Sequence, residues 1–270
     1  MAIKKIKSNL LYIVICVCYI AFLCLEKTGE GYGNTYLILR NILVSVWALF
    51  FMLAGNMLFD DYNGDLKQYY LKKSVCKYIL PFVLASLGML ISKIGFSVSF
   101  GFAKDFIKNF ISGTICEDYW ICYEVIGMYL IAPFFKRLTD GLNDKEKRWF
   151  LFTIVFYFAL FSCAVWFSFK FALDGYPFAN WVAYAVSGYL VVNIDWKKAE
   201  KVWIYVLGIL SVLVSAAEVV FWPGRNWSLD SFSLTRILMC LAIMLWGYRK
   251  SKTIYIVYLV ILLAPFLGCC

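Results

Sequence analysis

Long apolar stretches, separated by short polar segments, follow one another along the whole 270-residue chain. A helix needs about 17–25 mostly apolar residues to cross a bilayer, and a helix satisfies its own backbone hydrogen bonds there. The alternating pattern of membrane strands is absent from the sequence. The pattern therefore predicts an all-α membrane protein, a polytopic bundle of about nine transmembrane helices. The candidate spans are residues 9–25, 36–59, 78–98, 119–135, 149–169, 177–194, 202–222, 232–248 and 253–268.

A shorter segment between the third and fourth of these spans, residues 99–118, mixes apolar and charged positions at helical spacing. Such a pattern is typical of a helix that lies in the membrane interface with its apolar face in the lipid. It predicts an interfacial amphipathic helix on the outer surface, and the alternative is an ordinary connecting loop. The apolar positions are Phe102, Phe106, Ile107, Phe110 and Ile111, and the charged ones are Lys104, Asp105 and Lys108.

The composition agrees with a bilayer as the solvent, because the chain is 63% hydrophobic and 20% aromatic. Its net charge of +9 can suggest nucleic acid, but the basic residues are dispersed among apolar spans, so no nucleic-acid partner is predicted. Cytoplasmic loops are enriched in Lys and Arg, and a cytoplasmic N-terminus makes every inner segment basic. These inner residues, 18 of the 26 basic ones, are Lys4, Lys5, Lys7, Lys67, Lys72, Lys73, Lys77, Lys136, Arg137, Lys145, Lys147, Arg148, Lys197, Lys198, Lys201, Arg249, Lys250 and Lys252.

Cysteine and histidine usage bears on metals and disulfides. Most of the ten cysteines lie inside apolar runs, where cysteine is usually a small hydrophobic residue, and no CxxC pair occurs. The sequence contains no histidine to complete a zinc site. It therefore predicts neither a metal site nor a disulfide framework. The basic N-terminus, MAIKKIK, precedes an apolar run without a small-residue cleavage site, which predicts an uncleaved first helix.

Four charged residues fall inside the candidate spans, toward their outer ends: Arg40, Glu124, Glu218 and Arg236. A charge at the centre of a membrane helix costs about 2.5–3.5 kcal/mol on insertion scales, so it usually has a partner or a function. Either Arg40 pairs with Glu124, or the other two residues pair with each other, around one polar cavity. The alternative is that each side chain extends independently to the interface.

Four stretches carry distinctive motifs: ILRNILVSVWALFFMLAGNMLF in the second span, the basic linker YYLKKSVCKYILPFVLAS, WICYEVIGMYLIAPFF in the fourth span and FANWVAYAVSGYLV in the sixth. In order and spacing they resemble the integral-membrane acyltransferase family 3, which includes polysaccharide and peptidoglycan O-acetyltransferases and the membrane domains of certain serine racemases. The likeness covers roughly residues 36–192 and implies a single integral-membrane acyltransferase-like domain, residues 1–270. The matching positions are Arg40, Phe50, Phe51, Ala54, Gly55, Lys72, Lys73, Lys77, Pro81, Trp120, Tyr123, Gly127, Tyr129, Leu130 and Pro133.

This resemblance implies transfer of an acetyl or other acyl group from acyl-CoA, a donor substrate rather than a cofactor, to a hydroxyl of a cell-envelope polysaccharide. The implied partners are the lipid bilayer, acyl-CoA and the envelope glycan, and the implied location is the bacterial cytoplasmic membrane. Under this hypothesis Arg40 steadies an anionic or carbonyl part of the donor, while Trp120 and Tyr123 line the cavity. Asp118 or Glu124 accepts the proton of the hydroxyl.

The chain departs from the family pattern at the histidines. Family members often carry a histidine just before that tryptophan, where Asp118 or Tyr119 stands here. They carry another late in the first span, where Cys18 or Tyr19 stands, with Lys7 in place of the family's arginine. They also have ten core spans with both termini inside, whereas nine spans place this C-terminus outside. We expect either a lost last helix or a sequence that is a fragment.

The missing imidazole matters because acyl transfer needs a group that takes the proton of the hydroxyl, and imidazole suits pH 7. A carboxylate can replace it where burial raises the pKa, and the available ones are Glu117, Asp118 and Glu124. Cys18 is a candidate acyl-accepting thiol. Two functions stay open: an active acyltransferase with a displaced base, or an inactive family member that acts as a partner subunit or glycan-export component.

Overall fold

The structure is a computed structural model. It describes residues 17–18, 21, 33–71, 78–94, 100–116, 119–168, 181–221 and 233–247. For residues 33–44, 94, 100, 219 and 220 it describes the backbone only. Every regular element within these ranges is helical, and no strand occurs in them. The all-α class is thus confirmed for the described part of the chain. The predicted spans 9–25 and 253–268 lie largely or wholly outside it.

The helices follow the predicted segments closely, apart from the three-residue α2. Among the predicted spans, the largest differences are that α5 continues to Asp140 and that α6 begins at Asp144. Hydropathy detects only the apolar middle of a span, whereas a helix can continue with charged residues through the headgroup region. The helices are α1 (Gly33–Asp61), α2 (Leu66–Gln68), α3 (Leu80–Ile94), α4 (Phe100–Ser112), α5 (Trp120–Asp140), α6 (Asp144–Trp166), α7 (Trp181–Asn193), α8 (Lys198–Phe221) and α9 (Leu234–Gly247).

Helices α1 and α7 form the centre of the bundle, and their packing on each other is the most extensive among the described helices. α7 is buried on all sides, as expected for a helix that is apolar all round. A Cβ atom at Gly55 of α1 would lie 2.4 Å from the Ala185 carbonyl oxygen, and one at Gly188 of α7 would lie 2.5 Å from that of Met52. Small residues allow helix backbones to approach closely in membranes, so these two glycines set the distance between α1 and α7.

Helices α6 and α8 lie at the perimeter and expose large apolar side chains. Trp149 on α6 and Leu213 on α8 are exposed, and Trp203 on α8 is 66% exposed. Apolar surface of this extent suits contact with lipid. Asp144–Trp166 and Lys198–Glu218 are also long and apolar enough to cross a bilayer, which indicates a membrane protein; the total of nine spans stays a prediction. In the described part of the chain, three further apolar helices are shorter, namely Leu80–Lys93, Trp181–Asn193 and Leu234–Gly247.

One end of the bundle gathers the polar loops before α6 and α8. Asn143 and Glu146 form a capping box at the start of α6: the Asn143 side chain accepts from the Glu146 N–H (3.0 Å), and the Glu146 carboxylate accepts from the Asn143 N–H (2.8 Å). Arg148 pairs with Glu200 in the first turn of α8 at 3.3 Å and donates to the Asp195 carbonyl oxygen at 2.6 Å, which joins α6 to α8 and to the loop before it. We call this the basic end. It carries Lys136, Arg137, Lys145, Lys147, Arg148, Lys197 and Lys198.

Pro133 interrupts the hydrogen-bond ladder of α5 near the basic end. Proline has no N–H, so the carbonyl oxygen of Tyr129, four residues earlier, loses its usual helical donor. The Tyr69 hydroxyl donates to that oxygen at 3.4 Å, and the Tyr70 hydroxyl donates to the neighbouring Leu130 carbonyl oxygen at 2.7 Å. Burial raises the pKa of the Tyr69 phenol, so it remains a donor. The linker between α1 and α3 therefore satisfies backbone groups of α5.

Helix α4 is amphipathic, as the sequence predicts, and part of its apolar face packs on the bundle. Phe106 and Phe110 lie on this side, with the Phe110 ring 5.1 Å from that of Phe82 on α3. Ile107 is exposed and Ile111 is 78% exposed. The existence of this helix is confirmed, whereas its location at the outer interface stays a prediction.

Candidate functional site

Aromatic rings from three helices meet toward the end of the bundle opposite the basic end. Trp120, the first residue of α5, lies near Trp47 and Phe51 of α1, with ring centroids 5.8 and 6.1 Å away. Trp181, the first residue of α7, stacks on Phe51 at 4.6 Å and lies 5.4 Å from Trp120. We call these four residues the aromatic cluster. Its packing stabilises the arrangement of α1, α5 and α7, while Trp120 remains 38% exposed.

Glu124 lies one turn along α5 from Trp120 and is half-buried. Residues four apart in a helix are neighbours on one face, so Glu124 and Trp120 share a face of α5. A partly buried carboxylate can accept a proton from a hydroxyl held against the ring. The catalytic role of Glu124 and the substrate-binding role of Trp120 stay predictions.

Tyr123 lies between α5 and α4. Its hydroxyl donates to the Phe110 carbonyl oxygen, and its ring lies edge-on to Phe82 at 4.9 Å. These contacts tie the amphipathic helix to α5 and α3, which is a structural task that the sequence did not reveal. Its predicted place in the lining of a substrate cavity is not tested by these contacts and stays a prediction.

Two predicted site residues fall outside what the structure describes: the side chain of Arg40, and the whole of Asp118. Arg40 belongs to α1 and precedes Trp47 by about two turns, whereas Glu124 follows Trp120 by about one turn. Trp47 contacts Trp120, and Phe59, twelve residues later in α1, contacts Phe135, fifteen residues later in α5, so the two helices run in the same direction. The two charged positions therefore lie on opposite sides of the aromatic cluster along the bundle. Their pairing stays a prediction.

Two of the residues that stand where the family has histidine are described. Tyr119 is fully buried, with its ring 5.6 Å from that of Phe82. Cys18 is half-buried and packs against the core. Both positions are thus occupied by side chains that contribute to packing, and the acyl-accepting role of Cys18 stays a prediction.

A polar cluster at the basic end was not predicted from the sequence. Lys136 and Asp140 pair across one turn of α5, with Nζ 3.1 Å from Oδ2. The hydroxyl of Tyr189 on α7 donates to Asp140 Oδ1 at 2.8 Å and accepts from Lys136. The four-residue spacing of the ion pair is visible in the sequence, but its buried tyrosine partner comes only from tertiary packing.

The other two intramembrane charges are both buried: Glu218 near the end of α8 is 7% exposed, and Arg236 near the start of α9 is 2% exposed. Their mutual pairing stays a prediction. Within the described residues, no three cysteine, aspartate or glutamate side chains group as potential metal ligands. The described cysteines are free thiols, namely Cys18, Cys116, Cys122, Cys163 and Cys240.

The apolar perimeter helices and the charges buried among them define a helical membrane protein. A family model, described as an acyltransferase domain, matches residues 48–264. Because this match spans most of the 270 residues, the chain belongs to acyltransferase family 3. The resemblance seen in the motifs is confirmed, and the match supports an acyltransferase of membrane type. No curated protein and no solved structure matches the chain.

Proposed function

We propose that the protein is a membrane O-acyltransferase that moves an acetyl or other acyl group from acyl-CoA to a hydroxyl of a cell-envelope polysaccharide, in the bacterial cytoplasmic membrane. The family match over residues 48–264 carries this proposal. The fold adds a half-buried carboxylate, Glu124, beside the accessible ring of Trp120. Intramembrane carboxylates are costly and usually serve a function.

In the proposed reaction the hydroxyl oxygen attacks the thioester carbonyl carbon, and Glu124 accepts the hydroxyl proton. The carbon–sulfur bond then breaks, the new ester forms, and CoA leaves as a thiolate that takes the proton from Glu124, which restores the carboxylate. Arg40 steadies an anionic or carbonyl part of the donor. Trp120 and Tyr123 supply the apolar wall, and Asp118 is the alternative base.

The donor comes from the cytosol, so it enters at the basic end if that end faces the cytoplasm. Lys136 and Arg137 at this end can attract the phosphates of CoA. Glu124 lies twelve residues from Lys136 along α5, which is about 18 Å at about 1.5 Å per residue. The thioester arm of the donor must therefore extend deep into the bundle to bring the acyl group to Glu124.

Transfer from radiolabelled acetyl-CoA to native envelope glycan, measured in purified membranes, tests the proposal. We expect label in the glycan with the wild type and a loss of about 10²–10⁴-fold for Glu124→Gln, the range for removal of a general base. Arg40→Ala should also slow transfer. Asp105→Asn removes an exposed carboxylate from α4 and is the matched control, which should keep the wild-type rate.

If Glu124→Gln and Arg40→Ala both keep the wild-type rate, the site assignment is wrong, and Asp118→Asn becomes the next variant. Absence of label with folded wild type, in an assay where an active homologue works, contradicts acyl transfer itself.

A second function is favoured by one observation: the 270-residue sequence contains no histidine, although imidazole is the usual group for this proton transfer. The protein would then be an inactive family member that serves as a partner subunit or a glycan-export component. Co-purification with an envelope glycosyltransferase or flippase from native membranes, together with no transfer by the isolated protein, supports this function. Transfer by the isolated protein contradicts it.

A further inference from the structure

Helix α4 divides its apolar positions into two stripes. One of them, which contains Phe106 and Phe110, packs on the bundle. The other consists of Ala103, Ile107 and Ile111, and we call it the exposed stripe. Ile107 is 57% exposed and Ile111 is 78% exposed. Residues four apart lie one above the other on a helix, so the exposed stripe is a continuous apolar surface that no described part of the chain covers.

Two lysines border the exposed stripe. At 3.6 residues per turn, Lys104 and Lys108 lie beside it on the side that faces away from the bundle. Both are exposed, and neither forms an ion pair among the described residues. Asp105, the one acidic residue of α4, lies about 120–160° around the helix from the exposed stripe. Like charges four residues apart repel each other, so an anionic partner between the two lysines would relieve this repulsion.

The attachment of α4 to the bundle places it at the level of three tryptophans. The Tyr123 hydroxyl donates to the Phe110 carbonyl oxygen, and Trp120 precedes Tyr123 by three residues in α5. The rings of Trp47 and Trp181 lie 5.8 and 5.4 Å from that of Trp120. Tryptophan is enriched where membrane helices meet the head groups. These rings therefore indicate that α4 lies at the level of the lipid head groups.

We propose that the exposed stripe of α4 inserts among the acyl chains at the membrane interface, while Lys104 and Lys108 bind the phosphates of anionic phospholipids. Basic amphipathic helices bind membranes through buried apolar area together with attraction to anionic lipids. Lysine suits these positions, because its apolar stem can follow the exposed stripe while its ammonium group reaches the head groups. The sequence predicts an interfacial helix, and the two stripes add which side meets the lipid and which head groups it selects.

An anionic polysaccharide would also be attracted to the two lysines. It would leave the exposed stripe in water, whereas a phospholipid surface removes the stripe from water and neutralises the lysines at once. The combination of apolar and basic surface therefore favours a phospholipid. This surface is separate from the Glu124 site, and the proposal is independent of acyl transfer.

Photo-cross-linking of the full-length protein in vesicles tests this surface. The probe is a phosphatidylglycerol with a diazirine in one acyl chain. The comparison lipid is a phosphatidylcholine with the same diazirine, and both are diluted into unlabelled phosphatidylcholine. Mass spectrometry should find adducts of both lipids on the perimeter helix α8, and more than about tenfold preference for the glycerol lipid on α4. If both lipids label α8 and neither labels α4, the exposed stripe is covered by something else and the proposal is overturned.

The head-group contact is tested by removing charge. Lys104→Gln and Lys108→Gln should each lower the preference of α4 for the glycerol lipid about fivefold, which corresponds to about 1 kcal/mol. Lys145→Gln combined with Lys198→Gln is the matched control, because it removes two exposed charges at the basic end and should leave this preference unchanged. Equal labelling of α4 by the two lipids in the wild type overturns the role of the lysines.

The apolar contact has its own variant. Ile107→Ser combined with Ile111→Ser changes two exposed side chains, so the protein should fold, while labelling of α4 by both lipids should fall several-fold. Unchanged labelling of α4 overturns the insertion of the exposed stripe.

A measurement on the wild type needs no variant. Salt screens exposed charges, so a high salt concentration should lower the preference of α4 for the glycerol lipid and leave the labelling of α8 unchanged. A preference that does not respond to salt contradicts the contact of the lysines with the phosphates.

Discussion

Gly55 leaves no room for a side chain where α1 crosses α7. The Cβ of Gly55→Ala would lie 2.4 Å from the Ala185 carbonyl oxygen. Because this oxygen belongs to the backbone of α7, it cannot move aside unless the two helices separate. Overpacking of this kind costs about 1–3 kcal/mol, so thermal unfolding in detergent should occur at a lower temperature. Gly127 is the matched control, since a Cβ there would meet nothing within 4 Å, and Gly127→Ala should keep or raise stability by about 0.5–1 kcal/mol. Equal effects of the two variants would contradict the close crossing.

Tyr123 can be tested for its structural and substrate roles separately. Tyr123→Phe keeps the ring contact with Phe82 but removes the hydrogen bond to the Phe110 carbonyl oxygen, a net loss of about 1 kcal/mol. We expect faster hydrogen exchange in α4, measured by mass spectrometry, and a KM for acyl transfer that changes little. A raised KM with unchanged exchange would instead support the prediction that Tyr123 lines the substrate cavity.

At the scale of the element, α6 depends on its capping box. Asn143→Ala removes the side chain that accepts from the Glu146 N–H, and the loss of such a cap costs about 0.5–2 kcal/mol. Asn143→Asp keeps an acceptor oxygen in the same place and should retain stability, because aspartate caps helices as well as asparagine does. Thermal unfolding in detergent compares the two variants. A loss of stability shared by both would show that the cap is not the cause.

The same helix shows which features the sequence could predict. Apolar length located the middle of α6 but missed its start at Asp144, although Asn143 followed three residues later by Glu146 is a capping signal that the sequence displays. The helical spacing of the apolar positions between residues 99 and 118 correctly predicted the amphipathic helix α4. Spacing could not predict which helix a face packs against. The partnership of Tyr189 with Lys136 and Asp140 therefore became visible only in the fold.

The whole molecule places the basic end and helix α4 on opposite sides, which gives a test of orientation. If the N-terminus is cytoplasmic, an amine reagent that cannot cross membranes should modify Lys104 and Lys108, both exposed on α4, in intact spheroplasts. It should modify Lys145 and Lys198 at the basic end only after lysis. Mass spectrometry of the labelled peptides gives both results, and a cytosolic protein that stays unlabelled before lysis verifies that the membrane is intact. The reverse pattern would invert the topology.

The contact of the linker tyrosines with α5 has a consequence for how this sequence can evolve. Connecting segments normally tolerate insertions, but an added residue just before Tyr69 would move its hydroxyl away from the carbonyl oxygen that Pro133 leaves without a helical donor. The linker between α1 and α3 should therefore keep a constant length among relatives that retain this proline. Where a relative has another residue in its place, the helix regains its own donor and the demand for a tyrosine falls, so the two positions should change together.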